Sequence, residues 1–420
     1  MNIFFWLILL AFVIFFLWDV FLDILNIRNL RSNRENIPAS FTEMIDSAEF
    51  KKISSYTDEK LSFGIIHKSF HSLIMLVFIF GGLINYYNGM IFSLKLNYYL
   101  NGIVYFYLIA LIAAVIEIPF NLYSTFKIEK KYGFNTMSIK LWIEDFIKSQ
   151  IISLILLSIL VIVPFAIIRY LFNWWIWVWM ALFLFSIFML YISPYVIEPL
   201  FNKFTPVEDD NLLGVLSEVL ARAGIKLKKV VKIDASKRTK HINAYFSGIG
   251  KVKRIVLYDT LLEKLNAQEI VSVLAHEAGH WKKKHILKRI IIIEAILLLI
   301  CNLAYQVINS DFIIRAFEIT TKGNLYSNEI YLPCIIFMVY FLFSLVLYPF
   351  SPFMNYMSRL DEKEADLYAC KLVGNSSNLI SSLKKLAKDN LSNLCPHKLY
   401  SLFHYSHPPI AERLEYLKKF

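Results

Sequence analysis

Runs of about twenty apolar residues, separated by shorter polar connections, set the rhythm of this chain. They fall near 3–25, 70–87, 99–120, 150–170, 174–197, 286–308 and 331–350. Each is long enough to cross a hydrocarbon core as a helix. The pattern predicts a predominantly α, polytopic membrane protein with seven transmembrane helices. The first run is too long and too aromatic for a cleaved leader, and no small-residue cleavage site follows it, so it reads as a retained span. The polar remainder lies in a 26–69 loop, a block from 198 to 285 and a tail from 351 to 420. The chain thus divides into 1–197 with spans one to five, 198–285 as a polar segment, 286–350 with spans six and seven, and 351–420 as a second polar segment.

Inside the middle block the period shortens to two. Val230–Ile233, Ile242–Phe246 and Arg254–Leu257 read as short strands, and Gly248 and Gly250 sit where a β-hairpin between the last two would turn. From residue 266 the period becomes helical. Asn266 stands three before Glu269 in the form of a capping box, and Ile270, Val271, Val273 and Leu274 supply an apolar stripe. The tail reads as helices, one from near Ser358 and one from Ala411. A small α+β unit must therefore be assembled from pieces on either side of spans six and seven.

Composition agrees with a membrane protein: the chain is 57% hydrophobic and only 18% charged, with 35 Phe and 24 Tyr. A soluble domain rarely reads this way. The net charge of +11 does not point to nucleic acid, because the basic residues cluster at membrane edges, where they serve topology and anionic lipid headgroups. Connections 26–69, 121–149 and 198–285 and the tail are rich in Lys and Arg. Connection 88–98, the turn before Trp174 and 309–330 are poor. That alternation fits seven spans and the positive-inside rule, with the N-terminus lumenal or outside and both polar segments cytoplasmic. The four cysteines show no C-x-x-C spacing and read as reduced apolar fillers.

One pentapeptide carries chemistry. His276-Glu277-Ala278-Gly279-His280 puts two imidazoles one helical turn apart, so both can reach one tetrahedral zinc ion while Glu277 acts as general base on water. Gly279 lowers helix propensity by about 1 kcal/mol relative to Ala. Something must approach the backbone closely there, and a metal or substrate would do. A third ligand is needed, and Ser358-Arg359-Leu360-Asp361-Glu362-Lys363-Glu364-Ala365-Asp366 offers four acids just past the seventh span. Glu362 and Asp366 are four apart and face one way, so one could ligate while the other orients a histidine. A solvated acidic face is the commoner reason for such a run. Two acids within spans, Glu117 and Glu294, suit a wetted interior or a structural pair.

These segments resemble the integral-membrane zinc CAAX prenyl endopeptidases, whose hallmark is H-E-x-x-H followed by S-R-x-x-E-x-x-A-D. The resemblance extends to Ile118-Pro119-Phe120 with Ile128–Asn135, Pro199–Pro206, Asn243–Phe246, Arg254–Leu262, and His404-Tyr405-Ser406-His407-Pro408-Pro409 with Glu412-Arg413-Leu414. It implies His276, His280 and Glu362 as ligands of one zinc ion, Glu277 as base, Asp366 as partner of a ligand, and His407 and Arg413 near the metal to stabilise an oxyanion. It implies that the strand Asn243, Ala244, Tyr245, Phe246 holds substrate in extended form, and that the spans enclose a chamber. For His407 the plain alternative is a residue that begins a helix before two prolines; for Tyr245 and Phe246 it is a structural hairpin. Leu360-Asp361 departs from the family's more basic and aromatic pair and adds an acid beside Glu362.

The activity implied is removal of the last three residues of a C-a-a-X protein after its cysteine is prenylated. The partners are then a prenylated substrate and membrane lipid, with no nucleic acid. The membrane would be the endoplasmic reticulum in a eukaryote or the inner membrane in a bacterium. Two other readings fit the residues: a quality-control metalloprotease for misfolded or translocation-stalled membrane proteins, and a seven-span receptor or transporter with a dead metal site.

Overall fold

A computed structural model of the chain describes residues 2–247, 252–310, 312–319 and 331–420. It is 77% helical. Among the described residues seven helices are long and apolar enough to cross a membrane: Ile3–Ser32, Ser47–Phe80, Tyr98–Glu129, Ile139–Tyr170, Trp174–Phe201, His285–Ile308 and Leu332–Val373. Only 6% to 28% of the residues in their apolar windows are buried, which leaves large apolar surfaces on the spans.

Two span boundaries differ from the hydropathy reading. The 70–87 run is broken: its helix ends at Phe80, Gly82 adopts a left-handed φ of 82°, and a separate helix covers Leu83–Ser93. A side chain at Gly81 would put its Cβ 2.5 Å from the Val77 carbonyl oxygen, which a bulkier residue cannot tolerate. The 26–69 stretch, expected as a loop, is mostly helix. The first span runs to Ser32, and the second starts at Ser47 behind a capping box of Asp46 and Glu49. Its polar side chains find partners: Arg31 and Arg34 pair with Asp58, and the Tyr56 hydroxyl donates to Glu129 at 2.7 Å. Hydropathy measures how much helix is apolar, and a helix whose polar surface is satisfied continues past that limit.

The described strands form one four-stranded sheet in the order β1 (Phe204–Pro206), β2 (Lys226–Ile233), β4 (Val252–Tyr258), β3 (Ala244–Ser247). β2 and β4 are parallel, with Val231 opposite Val256, and β3 pairs antiparallel with β4 as the expected hairpin. The expected turn at Gly248 and Gly250 lies outside the described residues. β1 has too few residues to show a period and was not anticipated. Alternation along β4 splits the sheet faces: Ile255 and Leu257 join the main core, while Val256 packs with Val231, Ile233 and Phe204 on the other.

That main core unites the two polar segments and reaches further. It includes Leu216 and Leu274 from the middle block, Leu379, Leu383 and Leu414 from the tail, and Phe41, Ile53 and Phe134 from stretches flanking spans two and three. The site helices grow directly from spans. The Ala267–Lys282 helix passes into the sixth span through Lys283 and Lys284, the latter at a φ of 58°. The seventh span continues through a short turn at Tyr348–Phe350 into the Ser351–Val373 helix, which starts earlier than the Ser358 expected. Further tail helices cover Ser377–Asp389, Lys398–His404 and Ile410–Leu417.

Candidate active site

The anticipated capping box is present: the Asn266 side chain accepts from the Glu269 amide, and Glu269 accepts in return from the Asn266 amide. Glu269 also receives Lys385 at 2.8 Å and Ser381 at 2.6 Å, which ties the start of this helix to Ser377–Asp389. At its other end Gly279 is where the Ser351–Val373 helix crosses. A Cβ on Gly279 would stand 2.9 Å from both Cα and O of Ala365. Neither metal nor substrate accounts for this glycine; a second helix backbone does.

The crossing sets the geometry of the site, because Glu362 lies about one turn before Ala365. Its Oε1 is 3.2 Å from His280 Nε2 and its Oε2 is 3.4 Å from His276 Nε2, while the two Nε2 atoms are 3.2 Å apart. Three atoms able to ligate a metal thus converge within 4.8 Å of one another. Glu362 is only 5% exposed, and its Oε2 has no hydrogen-bond partner. A buried carboxylate oxygen without a donor, facing two imidazole nitrogens, fits a metal cation. Two imidazoles and a carboxylate form a donor set suited to zinc.

The surroundings reinforce that preference for positive charge. Asp366, wholly buried, has Oδ1 2.7 Å from His276 Nδ1. Burial disfavours an imidazolium at His276, but Asp366 and Glu362 outweigh it and push the group up to about 9. Asp366 is held by Arg413 through Nε at 2.8 Å and Nη2 at 2.6 Å, and by the Tyr416 hydroxyl at 2.5 Å. Arg413 also reaches Glu362 Oε2 at 3.8 Å. Glu277 borders the same cleft, and burial pushes its carboxyl up against the opposing pull of His276 and His280. His407 Nε2 is 3.3 Å from Glu362 Oε1, with 64% of the side chain exposed.

A cleft of about 180 Å³ opens at this centre, lined by His276, Glu277, Glu362, His407, Arg413 and Asn243 among others. Ala244 lines it as well, but Tyr245 and Phe246 do not. The Tyr245 hydroxyl donates to Glu198 Oε2 at 2.6 Å on the far face of the sheet, and Phe246 packs against the main core. β3 is an edge strand among the described residues, with β4 on one side only.

Two contributors were not anticipated. Tyr416 reaches Asp366 as above. His285 Nδ1 is 3.0 Å from His280 Nδ1, and its Nε2 is 3.0 Å from Glu364 Oε2 and 3.5 Å from Asp361 Oδ1. Both histidines of the motif thereby have a partner for their second ring nitrogen, the arrangement that fixes ligand tautomers in metal sites. The acid at position 361 serves His285, leaving Glu362 to face the motif. A histidine five residues past the motif, at the start of the next helix, was the available signal.

Comparison with known proteins adds the following. Residues 26–203 match the family model for the CAAX prenyl protease N-terminal region, with five membrane helices, and residues 206–420 match peptidase family M48. The chain is 34% identical to CAAX prenyl protease 1 of Saccharomyces cerevisiae, over 90% of this chain and 87% of that one. It is 32% identical to the CAAX prenyl protease 1 homolog of Arabidopsis thaliana, over 96% and 94%, and 30% identical to the Homo sapiens homolog, over 96% and 93%. The crystal structure of S. mikatae Ste24p superposes with a TM-score of 0.86 at 30% identity, covering 99% of each chain.

Proposed function

Because this chain belongs to peptidase family M48 and is a CAAX-prenyl-protease-type membrane metalloprotease, we propose that it is a zinc endopeptidase that cleaves after a prenylated cysteine and releases the C-terminal tripeptide of C-a-a-X proteins. The observation that carries the reading is Glu362, delivered by the helix after the seventh span to within 3.4 Å of both motif imidazoles. His276, His280 and Glu362 would hold the ion. Zinc supplies Lewis acidity toward a carbonyl oxygen and toward water.

The chain's own residues do the rest. Glu277 takes the proton of the attacking water and returns it to the leaving amine, a task helped by burial that brings its carboxyl nearer neutrality. His407, exposed at the cleft, and Arg413, buried behind Glu362, supply donors toward the developing oxyanion. Asp366 orients His276 through Nδ1, and Arg413 and Tyr416 orient Asp366. Asn243 and Ala244 border the cleft on an edge strand, which suits an extended substrate laid alongside β3. Tyr245 supports that edge from the far face, and Phe246 anchors it in the main core.

A site at the membrane surface suits a lipid-anchored client, whose prenyl group already partitions there. The Lys and Arg distribution supports a cytoplasmic site, with the N-terminus lumenal or outside. The quality-control alternative is not favoured, since the named relatives are CAAX prenyl proteases, and a complete donor set argues against a dead receptor site. The test is incubation of zinc-loaded protein with matched farnesylated and unmodified C-a-a-X peptides. Release of the tripeptide from the lipidated peptide alone supports the reading; equal cleavage of both contradicts it.

A further inference from the structure

A second group of metal-ligating side chains converges among the described residues, well separated in sequence from the first: His67, His71 and Glu117. His67 and His71 are one turn apart on the second span, and Glu117 faces them from the third. Glu117 Oε1 is 3.0 Å from His67 Nε2 and 2.8 Å from His71 Nε2, and its Oε2 is 3.0 Å from His67 Nε2.

The arrangement repeats that of the catalytic helix. The His67 and His71 rings meet at 4.6 Å between centroids and 81° between planes, against 4.8 Å and 80° for His276 and His280. Both sites take imidazoles at i and i+4 from one helix and a carboxylate from another. His71 Nε2 is shut off from solvent and faces Glu117 Oε1 at 2.8 Å. An ion bound here would take that nitrogen, His67 Nε2 and the Glu117 carboxylate as its ligands.

The surroundings hold this geometry. Phe120 lies 4.7 Å from the His67 ring and 6.0 Å from His71, and Phe63 stacks on His67 at 6.5 Å. These rings restrict the rotamers of both imidazoles. The three side chains are 33% to 40% exposed, which leaves an ion a route in and room for a water ligand. A carboxylate within a span is costly to hold uncompensated. No lysine or arginine among the described residues pairs with Glu117.

We propose that His67, His71 and Glu117 form a second metal site for a divalent transition ion, one that ties the second span to the third. It is structural and not hydrolytic. Where the catalytic motif places Glu277 beside its first histidine, this site places Lys68, whose ammonium is engaged by Asp19 and by Asp23. No carboxylate is left to act as base.

The test counts zinc in full-length protein, saturated with the metal and freed of excess by gel filtration. Two equivalents are expected in the wild type, one in His67→Ala/His71→Ala and one in His276→Ala/His280→Ala, which separates this site from the proposed catalytic one. A wild-type count of one, or a count of two that persists in the His67→Ala/His71→Ala variant, overturns the proposal. Should that variant fail to fold, anomalous scattering at the zinc edge from wild-type crystals decides. A peak among the three side chains supports the site, and its absence there beside a peak at His276 rejects it.

Discussion

Asp366 Oδ1 lies 2.7 Å from Nδ1 of His276, and the same carboxylate is gripped on its other flank by Arg413. One buried acid thus sets the tautomer of a proposed ligand while anchoring the Ile410–Leu417 helix to the site. Asp366→Asn keeps the shape and removes the charge. Zinc affinity is expected to fall by roughly 10–100-fold, measured by competition with a chelator of known strength. Unchanged affinity would mean that Asp366 only holds the tail helix.

Gly279 and Ala365 form the contact that brings the carboxylate to the histidines. Gly279→Ala places a methyl 2.9 Å from the Ala365 backbone, and relieving it pushes the two helices apart. The expected cost is about 1–3 kcal/mol of stability, accompanied by weaker zinc retention. Thermal unfolding and metal content read the two effects separately. Loss of stability with full zinc binding would show that the crossing adjusts without moving Glu362.

The Glu269–Lys385 pair predicts an asymmetry and a pH dependence. Burial pushes the Glu269 carboxyl up, but Lys385, Ser381 and the Asn266 amide outweigh it and hold it below the ordinary range. Lys385→Ala leaves a carboxylate that is 2% exposed without its cation, at a cost of about 3 kcal/mol. Glu269→Gln leaves a lysine that can turn to water, at about 1 kcal/mol. Because the folded-state value is lowered, the pair's contribution is complete above the ordinary glutamate range and fades as pH falls through the lowered value. The stability gap between wild type and Lys385→Ala should narrow in acid; a gap that widens contradicts the assignment.

If substrate lies along β3, peptides that are N-methylated at the amide facing the strand lose one backbone hydrogen bond. That is worth about 1 kcal/mol and should appear as a several-fold rise in KM with kcat changed less. An unaltered KM at every methylated position would remove β3 from the binding site.

Much of this was legible in the chain, and the exceptions share a cause. Periodicity located seven spans and the motif helix because both depend on near-neighbour spacing. It missed the helical 47–69 stretch, where polar residues such as Asp58 and Tyr56 are satisfied by distant partners. Gly279 announced a close approach but not its partner, since Ala365 is brought there only by folding. Among four acids on one helix, Glu362 was singled out by the family pattern; spacing alone could not separate it from Asp366. His285 was marked only by its place five residues past the motif, in a lysine-rich stretch, and β1 has too few residues to carry a period.

The account rests most directly on Glu277 as the base beside a metal held by its neighbours. Glu277→Gln preserves size and leaves His276, His280 and Glu362 in place, so zinc content should stay at the wild-type level. Turnover of a farnesylated C-a-a-X peptide should fall by roughly 10²–10⁴-fold. Turnover near that of the wild type, with zinc bound, would contradict the account.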